Sequence, residues 1–298
     1  VQGCANAIEN CFTYSGLPKD IFINLQIPSN MVNKIIENDK VSGVAVTGSA
    51  KAGKAVAKKA GECLKKTVLE LGGNDPYIIL DDADINRAVK SCVEGRILNS
   101  GQSCISAKRL IITEKNIDIF TKKIINLLKT KIIGDPYDNV DLGPLESISA
   151  RNQVHKMVSD SIECGAKLIM GGDLSEVKGA YYPITILIDV EPGMPAFDDE
   201  IFGPVFSIIK AKNDKDALRL ANKSKYGLGA AVFTKDIERG EKIASEKIQS
   251  GLCFVNDYVK SDPRLPFGGI KSSGYGRELS SYGLMEFVNI KTVVVQKS

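Results

Sequence analysis

The residues best suited to chemistry in this sequence surround a cysteine, Cys104, which ends the segment Asn99-Ser100-Gly101-Gln102-Ser103-Cys104. Small, polar and turn-forming neighbours leave its sulfur uncrowded, whereas a cysteine that only fills a core more often has Leu, Ile or Val on both sides. An accessible thiol can act as a nucleophile and form a covalent intermediate. The alternative, from this segment alone, is a small buried cysteine near the start of a helix.

The chain has one histidine, His155, so a catalytic base would have to come from another residue type. The apolar positions of the predicted helix 147–164 leave His155 off their face, which predicts a solvated surface residue. A cysteine hydrolase would need His155 beside Cys104, and a histidine-rich metal site is excluded, so no metal site is expected. One candidate carboxylate is Glu70, at the end of the predicted strand 67–71 and before two glycines; the alternative is a solvated acid in a turn.

A glycine turn, Gly48-Ser49-Ala50-Lys51-Ala52-Gly53, joins the predicted buried strand 41–47 to the predicted helix 50–60. A strand, a glycine turn and a helix in this order can point free backbone N–H groups at a phosphate. The glycine spacing matches neither the common dinucleotide fingerprint nor a P-loop. The alternative is a tight turn in which Gly53 eases the packing of the helix on a strand.

Strands and helices alternate along the rest of the sequence, which predicts an α/β fold with substantially parallel sheets. Asp84 is predicted to cap the helix that follows it. The further predicted strands are 21–25, 77–80, 109–113, 167–170, 185–190, 205–210, 228–234 and 252–256, and the further predicted helices are 6–15, 29–38, 85–98, 116–130, 214–223 and 237–250.

The end of the chain carries two more features. The glycine-rich segment 266–278 includes Phe267, Ile270 and Tyr275, which would bury poorly in a mobile surface loop, so it suits a loop packed against a ligand or another subunit. The segment 288–296 is rich in Val and Thr and predicts a terminal strand. Such an edge strand can pair with a partner chain.

Composition bounds the class of protein. The chain has 298 residues, of which 43% are hydrophobic and 25% charged, as in a soluble globular protein of two domains or one large one. Its net charge of +3, from interspersed basic and acidic residues, gives no case for nucleic acid or a membrane as partner. Seven cysteines without a C-x-x-C pair argue against a disulfide framework or a zinc knuckle and favour a reducing cytoplasm. The chain opens at Val1 in helix-like sequence, and we expect it to be part of something longer.

Five short motifs together resemble the aldehyde dehydrogenase family, in that family's order. They are Thr47-Gly48-Ser49-x-x-x-Gly53, Glu70-Leu71-Gly72-Gly73, Asn99-x-Gly101-Gln102-x-Cys104, Glu200-Ile201-Phe202-Gly203-Pro204 and Pro266-Phe267-Gly268-Gly269-x-Lys271-x-Ser273-Gly274. The separation of 34 residues between Glu70 and Cys104 also resembles the family. The resemblance covers the whole chain and corresponds to about the C-terminal three-fifths of such an enzyme.

The resemblance implies catalytic roles. Cys104 resembles the nucleophile that adds to an aldehyde to give a thiohemiacetal and then a thioester, with an oxyanion held by its own backbone N–H and a side-chain amide. Glu70 resembles the general base that activates the deacylating water, and burial can raise such a carboxylate's pKa towards neutrality.

The resemblance also implies a nicotinamide cofactor, NAD or NADP. Glu200 resembles the ligand of a ribose hydroxyl, and Phe202 resembles the contact beside the nicotinamide ribose. Ser49 resembles a pyrophosphate contact, Gly48 allows close backbone approach, and Gly53 and Leu71 belong to the same cofactor-binding motifs. The family's oxyanion asparagine and ribose lysine would lie upstream of Val1, so full activity of these residues alone is doubtful.

The substrate class is suggested by the segment 256–264, which resembles the succinate-semialdehyde dehydrogenase-like branch. A carboxylate on the substrate would suit Ser261, Arg264 or Lys260 near the mouth of the channel. Leu98 stands where one group of these enzymes carries a substrate-binding arginine, and Arg96 cannot be assumed to replace it. A neutral aldehyde or a hydroxyaldehyde such as glyceraldehyde stays open, as does an inactive or structural fragment that keeps the oligomer interface.

The resemblance implies the following organisation. Residues 1–72 form part of a Rossmann-like dinucleotide-binding domain, residues 73–271 form the α/β catalytic domain, and residues 272–298 return towards the cofactor side and supply an oligomerisation strand. A homodimer or homotetramer is therefore expected.

Overall fold

The computed structural model describes residues 2–174 and 179–297. These residues fall into two compact units. The first unit takes the chain up to Val44 together with Ala55–Thr67, and the second takes Ala45–Lys54 and the chain from Val68 onwards. No helix in the described ranges combines the length and the apolar character needed to cross a membrane.

The helices and strands follow the predicted alternation closely. The helices are α1 (Gln2–Tyr14), α2 (Val32–Glu37), α3 (Ala50–Glu62), α4 (Ile85–Ile97), α5 (Ile117–Leu128), α6 (Ile148–Glu163), α7 (Pro195–Asp198), α8 (Asp214–Asn222), α9 (Ile237–Glu246) and α10 (Ser280–Met285). The strands are β1 (Gly43–Thr47), β2 (Lys66–Glu70), β3 (Asp75–Ile79), β4 (Ala107–Thr113), β5 (Lys167–Met170), β6 (Thr185–Ile188), β7 (Val205–Ala211), β8 (Ala231–Phe233), β9 (Phe254–Val255) and β10 (Gly274–Tyr275). Asp84 caps α4 as predicted, because its carboxylate accepts from the backbone N–H groups of Asn86 and Arg87.

The second unit is built on a seven-stranded sheet in the order β5-β6-β7-β4-β3-β8-β9. All its neighbouring strands are parallel except β5, which pairs antiparallel with β6. The central strands have apolar residues on both faces because helices cover both faces of the sheet. Along β3, Tyr77 and Ile79 enter one core cluster, while Ile78 enters the other. The predicted α/β fold with a mostly parallel sheet is therefore confirmed.

The register of this sheet brings three loops together at the amino ends of neighbouring strands. Asp75 at the start of β3 pairs with Ala107 at the start of β4, and Arg109 of β4 pairs with Ser207 of β7. The chain segments that lead into β3, β4 and β7 must therefore meet at the amino ends of these strands. Those segments contain Glu70, Cys104 and Glu200 respectively.

A three-stranded sheet in the order β1-β2-β10 carries the glycine-rich segment back to Glu70. Gly274 pairs antiparallel with Glu70, and the Leu71 N–H donates to the Ser273 carbonyl at 3.0 Å. The segment 266–278 is thus packed against another part of its own chain, and its contact with a ligand or another subunit stays a prediction.

The first unit contains α1, α2 and the last two turns of α3. The Phe12 and Phe22 rings stack with their centroids 5.0 Å apart. The Lys65 ammonium donates to the carbonyls of Ile36 and Asn38, at 2.5 and 2.6 Å. Lys59 forms an ion pair with Glu37.

Two strand predictions need correction, and a third is not tested. The segment 21–25 forms no strand, and Ile21, Ile23 and Leu25 are exposed, because no neighbouring strand in the described chain supplies backbone partners. Strand β1 is half-buried and not buried as predicted. The segment 288–296 has no strand pairing within the described chain, and its valines 293–295 are exposed. Its pairing with a second chain stays a prediction.

Candidate active site

The loop that carries Cys104 begins with an abrupt left-handed turn at the end of α4. Asn99, Ser100 and Gly101 have φ values of 51°, 57° and 77°. Left-handed backbone costs about 1–2 kcal/mol for a residue with a Cβ. A methyl carbon added at Gly101 would also collide with the backbone of Gly203. The turn therefore holds the cysteine loop against the segment that leads into β7.

Arg96 fixes this arrangement from inside the protein. Its guanidinium is fully buried and donates to the carbonyls of Val205 and Ile201, at 2.6 and 2.9 Å, and to the Ser106 hydroxyl at 2.8 Å. These three hydrogen bonds join Arg96 to the cysteine loop, to the first residue of β7 and to the segment before it. Arg96 is therefore part of the loop's support and does not replace the arginine missing at Leu98.

Cys104 itself is half-buried. Burial raises the pKa of its thiol to about 11, the ammonium of Lys108 opposes that rise, and the carboxylates of Asp75, Glu200 and Glu70 add to it. The thiol is therefore protonated at neutral pH. Its activation requires a change in this electrostatic balance.

Glu70 is a buried carboxyl group, with 3% of its surface exposed. Neither of its side-chain oxygens has a hydrogen-bond partner among the described residues. Burial raises the pKa of Glu70 to about 8, the charge of Glu278 adds to the rise, and Arg277 opposes it. A buried polar group without a partner is costly, so it indicates a site that takes a water or a ligand.

The segment that follows Glu70 packs closely on the backbone of Cys104. The Cβ of any residue replacing Gly73 would lie 2.5 Å from the Cys104 carbonyl oxygen, so only glycine lets these segments approach. On the far side of Glu70, a Cβ at Gly268 would lie 2.8 Å from its Oε1 atom. The charge of Glu70 also raises the pKa of Cys104. The structure thus brings the two predicted catalytic residues into one electrostatically coupled site.

Glu200 and Phe202 lie beside this site. The Gly73 N–H donates to Glu200 Oε1 at 3.1 Å, and Lys108 Nζ lies 3.2 Å from the same atom. The Phe202 side chain is exposed. Glu200 and Phe202 both line a cavity of about 250 Å³, together with Gln102, Glu146, Gln153 and Met157.

The predicted phosphate-binding turn is at the N-terminus of α3. Gly48 and Ser49 are exposed, the Gly48 N–H donates to the Glu70 carbonyl at 3.0 Å, and the Ser49 hydroxyl accepts from the Ala52 N–H at 3.2 Å. Gly53 packs on the buried side chain of Leu71, where any Cβ would collide with its methyl groups. Gly53 and Leu71 therefore fix the helix to the strand, while Gly48 and Ser49 present the open helix end.

The predicted substrate residues lie on one loop after β9. Lys260 lines a cavity of about 420 Å³ with Cys253, Asp262 and Phe267. Its ammonium is 2.7 Å from Asp257, and the Arg264 guanidinium pairs with Asp262 at 2.6 Å. Ser261 and Arg264 are exposed. Each of the two cations already has a carboxylate neighbour.

Comparison with known proteins places this chain in one family. A model described as "Aldehyde dehydrogenase family" matches residues 2–293. The chain belongs to the aldehyde dehydrogenase family. It is 44% identical over 294 residues to the succinate semialdehyde dehydrogenase [NAD(P)+] Sad of Escherichia coli (strain K12), covering 98% of this chain and 63% of that protein. It is 42% identical over 290 residues to the succinate-semialdehyde dehydrogenase [NADP(+)] of Deinococcus radiodurans, covering 97% of this chain and 61% of that protein.

The same relationship holds among solved structures. A succinic semialdehyde dehydrogenase from Streptococcus pyogenes, crystallised in complex with NADP+, superposes with a TM-score of 0.95 at 39% identity, covering 98% of this chain and 64% of that one. The aldehyde dehydrogenase fold is therefore shown for this chain. The chain spans less than two thirds of the length of these relatives.

The single histidine of this aldehyde dehydrogenase chain is not the solvated surface residue that the helix pattern predicts. His155 is half-buried, its Nδ1 atom is buried without a hydrogen-bond partner among the described residues, and its ring lies 6.2 Å from that of Tyr182. The helical period places it off the apolar face, but the loop at Tyr182 covers that side of α6. The charged groups that shift the pKa of Cys104 most strongly do not include it.

Sequence reasoning missed two buried charged residues, Asp75 and Lys108. Asp75 accepts from the Gly229 N–H at 3.0 Å, and burial raises the pKa of Asp75 to about 7. Lys108 is 2% exposed and bonds to the cysteine loop. The available signal was charge at the start of two largely apolar strands, Asp75 in β3 and Lys108 beside Arg109 in β4, because charge is rarely buried without a partner.

Proposed function

We propose that this chain carries the catalytic part of an NAD(P)-dependent oxidation of a small aldehyde to its carboxylate, through a thiohemiacetal and a thioester on Cys104. The observation that supports this proposal most directly is that Cys104 and the buried Glu70 both lie at the amino ends of the strands. The Glu70 carboxyl has no hydrogen-bond partner among the described residues. The nucleophile and the base of a two-step covalent reaction must meet in this way.

The residues present fit a nicotinamide dinucleotide. The Glu200 carboxylate borders a cavity and can accept from ribose hydroxyls, and the exposed ring of Phe202 offers a flat apolar contact. Gly48 and Ser49 at the N-terminus of α3 suit a pyrophosphate. When bound, the nicotinamide supplies a hydride acceptor.

In the first half of the reaction, the Cys104 thiolate attacks the aldehyde carbon and forms a C–S bond, and the carbonyl oxygen becomes an oxyanion. The Cys104 backbone N–H stabilises that charge. The hydrogen on the aldehyde carbon leaves as hydride, the C=O bond re-forms, and Cys104 is left as a thioester. Because the pKa of the resting thiol is about 11 even with the Lys108 ammonium nearby, forming the thiolate, with its proton passing to solvent, needs a further change in the charges around Cys104.

In the second half, Glu70 takes a proton from water, and the resulting hydroxide attacks the thioester carbon. The C–S bond breaks, the thiolate of Cys104 is regenerated, and the product leaves as a carboxylate. A carboxyl group with a pKa of about 8 is a strong enough base for this role and is ionised in useful amounts near neutral pH.

For the substrate we propose succinate semialdehyde. The curated relatives described above carry that name, and Ser261, Lys260 and Arg264 supply a hydroxyl and two cations for a second carboxylate. A substrate carboxylate would have to compete with Asp257 and Asp262 for the two cations. A neutral aldehyde such as glyceraldehyde would need no such exchange.

The proposal is tested by following NAD(P)H formation with succinate semialdehyde, glyceraldehyde and an aliphatic aldehyde, using the chain and its Cys104→Ser, Glu70→Gln and His155→Ala variants. We expect turnover that is lost in Cys104→Ser and Glu70→Gln and kept in His155→Ala. Loss of turnover in His155→Ala with full activity in Glu70→Gln would contradict the assignment of Glu70 as the base.

Partners and location complete the proposal. A homodimer or homotetramer, with the segment 288–296 added to a neighbouring subunit's sheet, would cover its exposed valines. The seven cysteines are free thiols, which is consistent with the predicted cytoplasmic location.

A further inference from the structure

Lys108 is a buried lysine that none of the roles described above requires. It lies in β4, it is 2% exposed, and its ammonium has three acceptors within reach. Two are the carbonyl oxygens of Ser103 and Cys104, both at 2.8 Å, and the third is Glu200 Oε1 at 3.2 Å. Two of the three N–H donors of the ammonium therefore have backbone acceptors, and its charge is paired with Glu200.

The Ser103 carbonyl belongs to the same peptide group as the Cys104 N–H. A trans peptide is planar, with its C=O and N–H pointing in opposite directions. A cation that holds the Ser103 oxygen therefore fixes the direction of the Cys104 N–H, the donor proposed for the oxyanion. A charged donor on the oxygen also polarises the peptide and strengthens its N–H as a donor.

The second contact of Lys108 acts on the thiol itself. The Cys104 carbonyl is one bond from the Cα atom that carries the side chain, so holding it restricts the backbone rotation that would redirect the sulfur. Of the charged groups that act most strongly on Cys104, the Lys108 ammonium lowers the pKa of the thiol, whereas Asp75, Glu200 and Glu70 raise it.

The third contact reaches the proposed cofactor site. Glu200 Oε1 forms an ion pair with Lys108 and accepts a hydrogen bond from the Gly73 N–H. A ribose hydroxyl bound to Glu200 would donate to the same carboxylate that is paired with Lys108. Lys108 in turn donates to the carbonyls of the cysteine loop. A change at Glu200 is therefore passed to the Ser103 and Cys104 carbonyls through a single side chain.

We infer that Lys108 is a positioning residue that orients the Cys104 peptide groups and couples them to Glu200. Binding of a ribose hydroxyl to the Glu200 carboxylate then alters the reactivity of the thiol. This inference rests on the proposed function for the identity of the Glu200 ligand. The competing interpretation is that Lys108 only supplies hydrogen bonds to the carbonyl groups of a buried loop. In that case its removal would change stability and leave the coupling intact.

The first experiment measures thiol reactivity and needs no turnover. Alkylation of Cys104 by iodoacetamide is followed against pH by mass spectrometry of the Cys104 peptide, in the wild-type chain and in Lys108→Met, Lys108→Gln and Lys108→Arg. We expect the rate at pH 8 to fall severalfold in Lys108→Met and Lys108→Gln, because losing the ammonium raises the pKa of the thiol and lowers its thiolate fraction. Lys108→Arg keeps the charge and is expected to stay within about threefold of wild type.

The second experiment measures the coupling. NADP+ is added to the alkylation assay, and its affinity is measured by calorimetry for wild type, Lys108→Met, Glu200→Gln and the double variant. We expect NADP+ to change the wild-type alkylation rate, and Lys108→Met to abolish that change. The affinity losses of the two single variants should be non-additive, because the residues act as a pair.

Controls separate the possible failures. Lys156→Met, which removes an exposed lysine paired with Asp160 on α6, should leave both measurements unchanged. Circular dichroism and thermal unfolding identify variants that fail to fold, and Lys108→Gln then decides in place of Lys108→Met.

An unchanged alkylation profile together with additive affinity losses would overturn the inference. If the wild-type chain neither binds NADP+ nor oxidises aldehydes, the proposed function and the coupling to Glu200 both fail, while the alkylation profile still decides whether Lys108 positions the thiol.

Discussion

Glu70 shows how one residue can depend on its surroundings for its chemistry. An exposed glutamate is fully ionised at neutral pH and is a weak base, whereas burial raises the pKa of Glu70 to about 8. Among the described residues neither carboxyl oxygen has a hydrogen-bond partner that would favour the ionised form, so only the charge of Arg277 opposes the effect of burial. The same isolation leaves both oxygens free to contact a water molecule.

We expect the deacylation rate to rise with pH and level off above about pH 8, because only the ionised form of Glu70 can accept a proton. Glu70→Gln should remove this pH dependence and lower the rate by about two to four orders of magnitude. Single-turnover kinetics across pH 6–10 measure both effects. A pH profile that Glu70→Gln leaves unchanged would contradict the assignment of the base.

The raised pKa of Glu70 also predicts how stability varies with pH. Between the ordinary pKa of 4.5 and about 8, the folded state holds a proton that the unfolded state has lost, so stability falls as the pH rises through this range. Asp75, with its pKa raised to about 7, acts in the same direction. Urea unfolding at pH 5, 7 and 9 should show a smaller decline in Glu70→Gln than in wild type, and the same decline in a control variant of the exposed Glu241. An undiminished decline in Glu70→Gln would mean that Glu70 is ionised in the folded protein.

At the scale of elements, the cysteine loop is held by the turn before it. Asn99, Ser100 and Gly101 have left-handed backbone conformations, so α4 cannot continue through them. Arg96, near the end of the helix, donates to the carbonyls of Ile201 and Val205 where the chain enters β7. Strain at Asn99 and Ser100 persists because these contacts enforce it.

Gly101→Ala tests this support. The substitution combines a positive φ with a collision against the Gly203 backbone, so we expect it to cost more than the about 1–2 kcal/mol of left-handed strain alone. Gly193→Ala is the matched control, because Gly193 also has a positive φ but open space around its Cα atom. Denaturant unfolding measures both. Equal losses of stability in the two variants would show that packing against Gly203 contributes nothing.

Arg96→Met tests the guanidinium. It leaves the buried carbonyls of Val205 and Ile201 without their donor, and each such loss costs about 1–3 kcal/mol. We therefore expect a large fall in unfolding free energy and faster, less selective alkylation of Cys104. Arg264→Met removes an exposed arginine and should leave stability within about 0.5 kcal/mol of wild type. A stable Arg96→Met with unchanged alkylation would show that the loop is fixed by other contacts.

At the scale of the whole molecule, the site lies at the amino ends of β3, β4 and β7. Ligands of open parallel sheets are usually found at the carboxyl ends of the strands. Here the register of the three neighbouring strands brings the segments that precede them together, and those segments carry Glu70, Cys104 and Glu200.

The predicted oligomer also belongs to this scale. If the segment 288–296 pairs with a neighbouring subunit, Val294→Pro should weaken assembly, because proline removes a backbone donor from the strand. Val294→Thr keeps that donor and should assemble normally. Analytical ultracentrifugation at micromolar concentration measures both variants, and a monomeric wild-type chain would count against the predicted dimer or tetramer.

Local sequence determined much of this protein. The alternation of apolar strands with amphipathic helices predicted the α/β class, and Asp84 predicted the start of α4, because both depend on residues close together in the chain. The motifs around Glu70, Cys104 and Glu200 pointed to the family for the same reason. Local pattern failed where distant contacts decide the outcome, as at His155, which the loop at Tyr182 covers.

The tertiary structure alone decided which residues meet. Strand order and register cannot be derived from local periodicity, yet they bring Glu70 and Glu200 to Cys104. Burial in that setting, and not residue type, raises the pKa of Glu70 and places the ammonium of Lys108 between the cysteine loop and Glu200. Pairing, burial and charge coupling act across long stretches of chain, and only the folded arrangement fixes them.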